Sequence, residues 1–280
     1  MNKLIPILLI LSFVVVSAPA TAPLPVAFAM PSKVPPAGRS SATIQSQSDG
    51  GLDNFVFYVG RSSNYAWAGT LNGLGRFNLG GQFWESFNSS DGLGADSYPS
   101  LLYLPDRGRL LVHPQRCYLS ASVIYAAYGY GLRISDDEGE NWRAVEPLPM
   151  MGSGQCVWRL IADSGRVYAA CWYAGLAYSD DAGDSWSVYS IPYIDPPGWI
   201  FELVGETEEW EHRSFSVAAR GNLICTGTDY GLYVSHDRGT NWEFIDVTLA
   251  GMGCWVYDVH IDGNGVIWAA CIDPYGISAW

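Results

Sequence analysis

Aromatic and acidic side chains are concentrated in one segment of the chain, residues 191–213. The segment contains Tyr193, Asp195, Trp199, Glu202, Glu206, Glu208, Glu209, Trp210 and Glu211. Sugar rings stack on aromatic side chains, and sugar hydroxyls need groups that accept hydrogen bonds. The composition therefore suits a glycan, and it suits a basic peptide or protein as well. Trp199, Glu202 and Trp210 are candidate binding residues, unless the segment only packs as a long connection.

Further aromatic residues follow short apolar runs that are typical of strands. They are Tyr128, Tyr130, Trp172, Tyr173, Tyr230 and Tyr275. Several stand next to glycine, as expected for turns, and connecting segments carry binding residues more often than the elements they join. We predict that these six belong to a ligand-binding surface; the alternative is that they only pack the turns.

Hydrolysis of a glycosidic bond needs two carboxyl groups about 5–10 Å apart. The acids considered for this role are Asp195, Glu202, Asp258 and Asp273. Their spacing along the chain does not give their separation in space. The sequence contains no Ser–His–Asp set, phosphate-binding loop or nucleotide fingerprint. No catalytic residue is therefore assigned.

One sequence pattern occurs three times, and this repeat guides the interpretation of the fold. The copies cover residues 131–142, 175–186 and 231–242, with serines 44 and 56 residues apart. A degenerate copy at 73–84 keeps Gly81 and Trp84. The residues of the shared pattern Ser-x-Asp-x-Gly-x-x-Trp are Ser135, Asp137, Gly139, Trp142, Ser179, Asp181, Gly183, Trp186, Ser235, Asp237, Gly239 and Trp242.

These residue types favour a β-hairpin turn over a catalytic site. Serine and aspartate hydrogen-bond backbone amides in tight turns, glycine adopts a positive φ, and tryptophan packs between sheets. The pattern resembles the Asp-box (bacterial neuraminidase) repeat of sialidases, xyloglucanase-type glycosidases, sortilin and the photosystem II assembly-factor family. The resemblance implies an all-β fold, a β-propeller of four-stranded antiparallel blades, with each hairpin between the third and fourth strands of a blade.

The predicted propeller covers residues 53–280 and shows about five blades. Their bounds fall near 53–90, 91–147, 148–191, 192–247 and 248–280. Similar strands are aligned at 123–127, 167–171 and 267–271, each containing Ala-Ala. The last blade has about three strands and no hairpin pattern. Either the strand near residues 55–58 completes it, or the chain is truncated.

Propeller connections alternate between two faces. The first-to-second and third-to-fourth strand turns lie on one face, and the second-to-third turns and the links between blades lie on the other. The candidate aromatic residues fall on the second of these faces, which we predict to be the binding face by analogy of fold. Arg159, Asp258 and His260 fall on predicted innermost strands, where they would line the central channel.

The chain has six cysteines, at positions 117, 156, 171, 225, 254 and 271, and only four histidines. None of the cysteine spacings is Cys-x-x-Cys, so no metal site is predicted, and no cofactor either. Cys156 and Cys171 flank one predicted hairpin, and Cys254 and Cys271 flank another. We predict these two disulfides; the alternative is free buried cysteines. Cys117 and Cys225 remain, either paired with each other or free.

The first residues have the features of an export signal. Lys3 precedes a mostly apolar run from Leu4 to Val16, and Ala18-Pro-Ala20 and Ala27-Phe-Ala29 both suit a signal peptidase. We predict a signal peptide at 1–29 and a flexible linker at 30–52, which is rich in Pro, Ser, Gly and Gln. The alternative is an uncleaved anchor, but the run is shorter than the roughly 20 residues of a membrane-spanning helix. We therefore expect a secreted or extracytoplasmic protein that is not stably inserted in a membrane. Disulfides can form in such a compartment.

Charge and composition narrow the class of partner. The chain of 280 residues carries a net charge of −13, and 49% of its residues are hydrophobic. Nucleic acids are excluded as partners because no basic surface is available. Two hypotheses remain. The first is a non-catalytic propeller that binds a glycan or protein ligand. The second is a sialidase- or xyloglucanase-like glycoside hydrolase, or a fragment of one.

Overall fold

The fold is known from a computed structural model. It describes residues 12–16, 26–28, 56–70, 73–81, 83–93, 100–113, 115–120, 123–129, 132–145, 157–171, 175–192, 213–229, 231–249, 252–253 and 255–272. Within these ranges the regular structure is β-strand, apart from one 3₁₀ turn at Ser89–Asp91. The predicted all-β class is confirmed.

The described residues form 24 strands. The first twelve are β1 (Ser12–Val16), β2 (Val26–Phe28), β3 (Val56–Arg61), β4 (Tyr65–Thr70), β5 (Gly73–Asn78), β6 (Trp84–Phe87), β7 (Ser100–Leu104), β8 (Arg109–His113), β9 (Gln115–Ser120), β10 (Val123–Gly129), β11 (Arg133–Ser135) and β12 (Arg143–Ala144). The others are β13 (Val157–Asp163), β14 (Arg166–Cys171), β15 (Gly175–Ser179), β16 (Ser187–Val188), β17 (Ser214–Arg220), β18 (Leu223–Thr228), β19 (Gly231–Ser235), β20 (Glu243–Asp246), β21 (Thr248–Leu249), β22 (Met252–Gly253), β23 (Trp255–Ile261) and β24 (Ile267–Ile272).

Five four-stranded antiparallel sheets are the blades of a β-propeller. The first blade is β3-β4-β5-β6, the second β7-β8-β11-β12, the third β13-β14-β15-β16 and the fourth β17-β18-β19-β20. The fifth blade is β23-β24-β1-β2. The innermost strands β3, β7, β13, β17 and β23 contact one another in this order. The predicted arrangement of radial blades is therefore confirmed.

The hydrophobic core lies between adjacent blades, because each sheet buries both of its faces. Strand β14 shows the reason, which is the two-residue alternation of side chains along a strand. Val167, Ala169 and Cys171 pack against the second blade. Tyr168 and Ala170, from the same strand, pack against the fourth. Ala169 and Ala170 lie on opposite faces of the strand, and their small side chains allow a close approach of both neighbouring sheets.

The three repeat hairpins (residues 135–142, 179–186 and 235–242) lie in three different blades, each between the third and fourth strands. A side chain of the preceding blade covers the glycine of each hairpin. A Cβ at Gly183 would lie 2.5 Å from Leu111 Cδ2, and one at Gly139 would lie 2.6 Å from Trp67 Cη2. Both glycines also have a positive φ, of 96° and 91°. The positive φ and the lack of room for a Cβ therefore both require glycine at positions 139 and 183.

The second blade corrects one part of the strand alignment. Residues 123–127 were aligned with 167–171 as equivalent second strands, but the second strand of this blade is β8. Strands β9 and β10 form a separate two-stranded hairpin inserted between the second and third strands. The Ala-Ala sequence suits a closely packed strand in either place, so composition alone did not distinguish them.

The fifth blade corrects a second point. The strand proposed to complete it, near residues 55–58, belongs to β3 and begins the first blade. Strand β1 pairs with β24 instead, with Val14 opposite Ala269, and β2 pairs with β1. Both strands fall within the segment predicted to be a signal peptide, so its removal stays a prediction to be tested. No helix among the described residues is long and apolar enough to cross a membrane.

Candidate functional site

Strand order gives the propeller two faces. The hairpin face carries the first-to-second and third-to-fourth turns, and therefore the repeat hairpins. The link face carries the second-to-third turns, the blade links and the ends at which the innermost strands begin. The inserted hairpin β9–β10 emerges on the link face as well, because it connects a second strand to a third.

Among the predicted ligand residues, Tyr128 lies on β10. The other eight predicted ligand residues lie outside the described residues, so their role remains a prediction: Tyr130, Trp172, Tyr173, Trp199, Glu202, Trp210, Tyr230 and Tyr275.

An aromatic cluster lies where the innermost strands of the third, fourth and fifth blades begin. Phe215 is at its centre, with its ring centroid 4.9 Å from that of Tyr257 and 5.6 Å from that of Trp255, both in stacked geometry. Trp158 approaches Phe215 edge-on at 6.2 Å. Phe215 is buried, whereas Trp158, Trp255 and Tyr257 are half-buried. This cluster offers aromatic surface on the link face, next to the propeller axis.

Sequence reasoning missed the aromatic cluster. Part of its signal was present, because Trp158, Trp255 and Tyr257 lie on strands that were predicted to be innermost. No strand was predicted around Phe215, and exposed aromatic residues were expected in the turns. Packing of three blades around an axis is what brings the cluster together, and no local pattern shows it.

A charged pair lies beside the aromatic cluster in the central channel. Arg159 follows Trp158 on β13, and Asp258 follows Tyr257 on β23. Arg159 Nη2 lies 3.7 Å from Asp258 Oδ1, although the two strands belong to blades that are not adjacent. The side chains are 37% and 57% exposed, so polar groups remain open to a ligand. The guanidinium also lies 5.8 Å from the centroid of the Tyr58 ring, which comes from the first blade.

The expected channel position of Arg159, Asp258 and His260 agrees with the innermost strands on which they lie. His260 is exposed on β23, two residues beyond Asp258. The carboxylate of Asp258 faces a guanidinium rather than a second carboxylate. Of the other three acids considered for catalysis, none lies within the described residues: Asp195, Glu202 and Asp273.

A buried carboxylate lies near the aromatic cluster, in the second-to-third turn of the fourth blade. Asp229 is 4% exposed through its side chain, and its Oδ2 lies 3.8 Å from Arg213 Nε. Its Oδ1 has no hydrogen-bond partner. Burial raises the pKa of Asp229 to about 7, because the nearby Arg213 guanidinium offsets only part of the desolvation. The preceding residue, Thr228, pairs with Ser214, immediately before Phe215.

The repeat hairpins have the internal hydrogen bonds of tight turns. In the second hairpin, Gly183 N donates to Ser179 Oγ at 2.7 Å, and Ser179 Oγ donates to Asp181 Oδ1 at 2.7 Å. The backbone N of Ser185 donates to the same Asp181 oxygen at 2.8 Å. Trp186 Nε1 donates to the carbonyl of Gly183 at 3.0 Å. The same contacts recur in the third hairpin. These side chains are occupied by the turn itself, which leaves little for a ligand.

The first hairpin departs from this pattern at its tryptophan. Ser135 and Asp137 make the same bonds, but Trp142 Nε1 is buried without a hydrogen-bond partner. Its ring meets Trp67 of the first blade edge-on, with centroids 6.4 Å apart, as the ring of Trp242 meets Tyr189 of the third blade. The first hairpin therefore keeps the packing between blades but lacks the bond that Trp186 and Trp242 make.

The predicted disulfides are tested only in part by strand register. The residue opposite Cys171 is Val157, and the residue opposite Cys271 is Val256. Cys156 and Cys254 lie outside the described residues, so both disulfides stay predictions. Cys225 is a buried free thiol, and burial raises its pKa to about 12. No group of three or more His, Cys, Asp or Glu side chains in the described ranges is arranged to hold a metal ion.

Comparison with solved structures identifies propeller domains of low sequence identity. The extracellular domain assigned to a one-component system of B. thetaiotaomicron superposes with a TM-score of 0.59 at 19% identity, over 81% of this chain and 27% of that one. The GH74 xyloglucanase of Xanthomonas campestris gives 0.51 at 19% identity, over 79% and 34%. The GH74 enzyme of Niastella koreensis gives 0.52 at 16% identity, over 82% and 34%. The chain thus spans about a third or less of these proteins, and the likeness is one of fold. No family model matches the sequence, and no curated protein matches it.

Proposed function

We propose that the chain is an exported, non-catalytic propeller of the Asp-box class that binds a glycan on its link face. The proposed organisation is a signal peptide at 1–29, a linker at 30–52 and the propeller at 53–280. The observation that carries the binding proposal is the aromatic cluster beside the Arg159–Asp258 pair. Stacking surface and exposed polar groups then meet at one point on the propeller axis.

The chemistry of the cluster favours a sugar over other small ligands. Half-buried rings of Trp158, Trp255 and Tyr257 offer apolar faces to the C–H faces of a sugar. Arg159 and Asp258 supply a donor and an acceptor for its hydroxyls. The predicted aromatic residues of the link face would extend this surface. A protein is the other partner class consistent with an aromatic surface, and the acidic chain disfavours nucleic acid.

The names of the structural neighbours are consistent with this proposal. One is an extracellular domain, and two are GH74 enzymes, of which one is a xyloglucanase. Xyloglucan is therefore the first polysaccharide to test. The protein for the test is the chain as exported, applied to a glycan array that includes xyloglucan oligosaccharides.

Two substitutions test the site. Trp255→Ala should lower glycan affinity by about tenfold or more, because a buried aromatic contact is worth about 1–3 kcal/mol. Trp255→Phe should keep part of the affinity, since it keeps a ring. Trp268→Ala is the matched control, because Trp268 is an exposed tryptophan of the same blade outside the cluster. Unchanged binding in Trp255→Ala, with folding verified by thermal unfolding, would refute the proposed site.

A glycoside hydrolase is the second candidate, and the position of Asp258 in the channel favours testing it. The same array polysaccharides are incubated with the protein, and reducing ends are measured. Turnover that disappears in Asp258→Asn would establish an enzyme and overturn the non-catalytic proposal. Binding without turnover would eliminate the hydrolase for those substrates.

A further inference from the structure

A polar groove of about 570 Å³ lies on the hairpin face, between the third and fourth blades. This volume is within the range of about 300–1,000 Å³ that is typical of small-molecule sites. The groove shares no residue with the aromatic cluster or the channel pair, which lie on the opposite face. Its lining includes Arg166, Tyr178, Tyr189 and Ser190 from the third blade, and Asp237 and Arg238 from the fourth.

Contacts within the third blade hold one cation of the groove in place. Arg166 Nε and Nη2 donate to the two oxygens of Asp180 at 2.7 and 2.8 Å. Its Nη1 donates to Tyr189 Oη at 2.9 Å, and its guanidinium lies 4.2 Å from the centroid of the Tyr178 ring. Asp180 neutralises this charge, so Arg166 serves chiefly to orient its neighbours.

Tyr189 is the first donor that this arrangement directs into the groove. Its oxygen accepts the bond from Arg166, so its own proton remains for another acceptor. Burial raises the pKa of Tyr189 to about 12, so the hydroxyl stays protonated at physiological pH. The ring is held by Tyr178, at a centroid distance of 4.5 Å, and by Trp242, at 5.5 Å. The donor is therefore rigid.

Arg238 is the second donor, and its guanidinium lies near the hydroxyl of Tyr168. It occupies the position between the aspartate and glycine of the third hairpin, where the other hairpins have Glu138 and Ala182. It is exposed, with φ of 60°, and makes no ion pair with any described residue. Hydrogen bonds from Ser235 and Asn241 hold the carboxylate of Asp237 within the turn. The groove thus presents two hydrogen-bond donors and one guanidinium without an ion pair among the described residues, beside the ionised carboxylate of Asp237, whose pKa hydrogen bonds lower to about 2.

We propose that this groove binds the carboxylate of an acidic sugar of the uronate class. Arg238 pairs with the carboxylate, because a guanidinium fork matches its two oxygens. Tyr189 donates a second hydrogen bond, and the hydroxyls of Ser190 and Thr240 serve the ring hydroxyls. This site lies on the opposite face of the propeller from the proposed glycan site, and the two sites share no residue.

Calorimetric titration of the exported protein at low salt tests the proposal, with three probes. D-Glucuronate should bind, while D-glucose, which lacks the carboxylate, and acetate, which lacks the ring, should each bind at least about tenfold more weakly. Arg238→Gln should weaken glucuronate binding by about tenfold or more, and Tyr189→Phe by less. Arg220→Gln is the matched control, because Arg220 is an exposed arginine on the same face that does not line the groove.

Several outcomes would overturn the proposal. They are no glucuronate binding, equal binding of acetate or glucose, and equal losses in Arg238→Gln and Arg220→Gln. Arg238 and Arg220 are exposed, so both variants should fold, and thermal unfolding verifies this. Trp255→Ala should leave glucuronate binding unchanged, so failure at one face is distinguished from failure at the other.

Discussion

The guanidinium of Arg109 joins the second blade to the repeat hairpin of the third through Asp184. Its Nη1 lies 2.9 Å from Asp184 Oδ2 and 3.2 Å from the carbonyl oxygen of Ala182, a residue with φ of 63°. Its Nε donates to Asp136 in its own blade at 2.6 Å. Arg76 of the first blade makes the same kind of contact with the carbonyl of Glu138, at 2.7 Å. Two repeat hairpins are therefore joints between blades as well as turns.

Replacing Arg109 should destabilise the propeller. Its side chain is 11% exposed, so Arg109→Gln leaves polar groups in a largely dry interface. Loss of charged, partly buried hydrogen bonds should lower the free energy of unfolding by about 2–4 kcal/mol. Urea unfolding followed by tryptophan fluorescence measures this change.

Arg143 provides the control for Arg109, since it contacts the same carboxylates of Asp136 and Asp184 from solvent. Its side chain is 46% exposed, and exposed ion pairs contribute about 1 kcal/mol or less. Arg143→Gln should therefore have a small effect. Equal losses in the two variants would contradict the assignment of Arg109 as the joint.

Asp181 should make stability fall in acid. Burial alone would raise its pKa, but hydrogen bonds from Ser185 and Ser179 outweigh burial and lower the pKa from 3.8 to about 2. The stabilisation is therefore present above about pH 4 and is lost as the pH falls to about 2. Asp181→Asn should flatten the stability profile in this window, measured by urea unfolding at several pH values. A profile identical to that of the unsubstituted protein would show that the hairpin carboxylate contributes nothing.

Asp229 should make the stability of the protein fall as the pH rises, which is the opposite of the effect of Asp181. Its pKa in the folded protein, about 7, lies above its ordinary 3.8. The favourable contribution is complete below about pH 4 and is lost as the pH rises to about 7, because over this range the carboxyl ionises in the unfolded chain but stays protonated in the folded protein. Asp229→Asn should remove this decline, while Asp246→Asn, an exposed aspartate of the same blade, should keep it. Stability that does not fall between pH 4 and 7 in the unsubstituted protein would contradict the burial of an ionisable Asp229.

Regular, local features of this fold could be predicted from sequence. The hairpin pattern fixes a turn through bonds within eight residues, from Ser179 to Trp186, so each copy gives the position of two strands. Strands β13 and β23 were predicted as well, because the turn sequences at 163–165 and 262–265 separate each of them from an Ala-Ala strand. The predicted propeller follows from these elements, because sheets with two buried faces must stack on one another.

Contacts between distant segments could not be predicted in this way. Trp158, Phe215 and Trp255 meet only because three blades converge, and Arg159 reaches Asp258 across the axis. The insertion β9–β10 was mistaken for a regular strand because its Val-Ile-Tyr-Ala-Ala sequence equally suits a hairpin of its own. Likewise, the sequence does not indicate that Asp229 is buried, because aspartate in a turn is ordinarily exposed and its burial depends on tertiary packing.

The edge of β24 provides the final prediction, which concerns export. Strand β1 covers this edge in the full chain, from Ser12 opposite Cys271 to Val16 opposite Ile267. Removal of residues 1–29 by a signal peptidase would take away both β1 and β2. Those amides of β24 that point toward β1 should then exchange with deuterium faster in the exported protein than in the full chain, because their hydrogen-bond partners are gone. Exchange followed by mass spectrometry, after the N-terminus is determined from the intact mass, measures this difference.

The third blade is the internal control, since all its strands persist and the exchange of β15 should be unchanged. Equal protection of β24 in the two forms would mean that β1 does not hold this edge, whereas an exported protein that retains residue 12 would mean that the segment is a strand of the mature propeller.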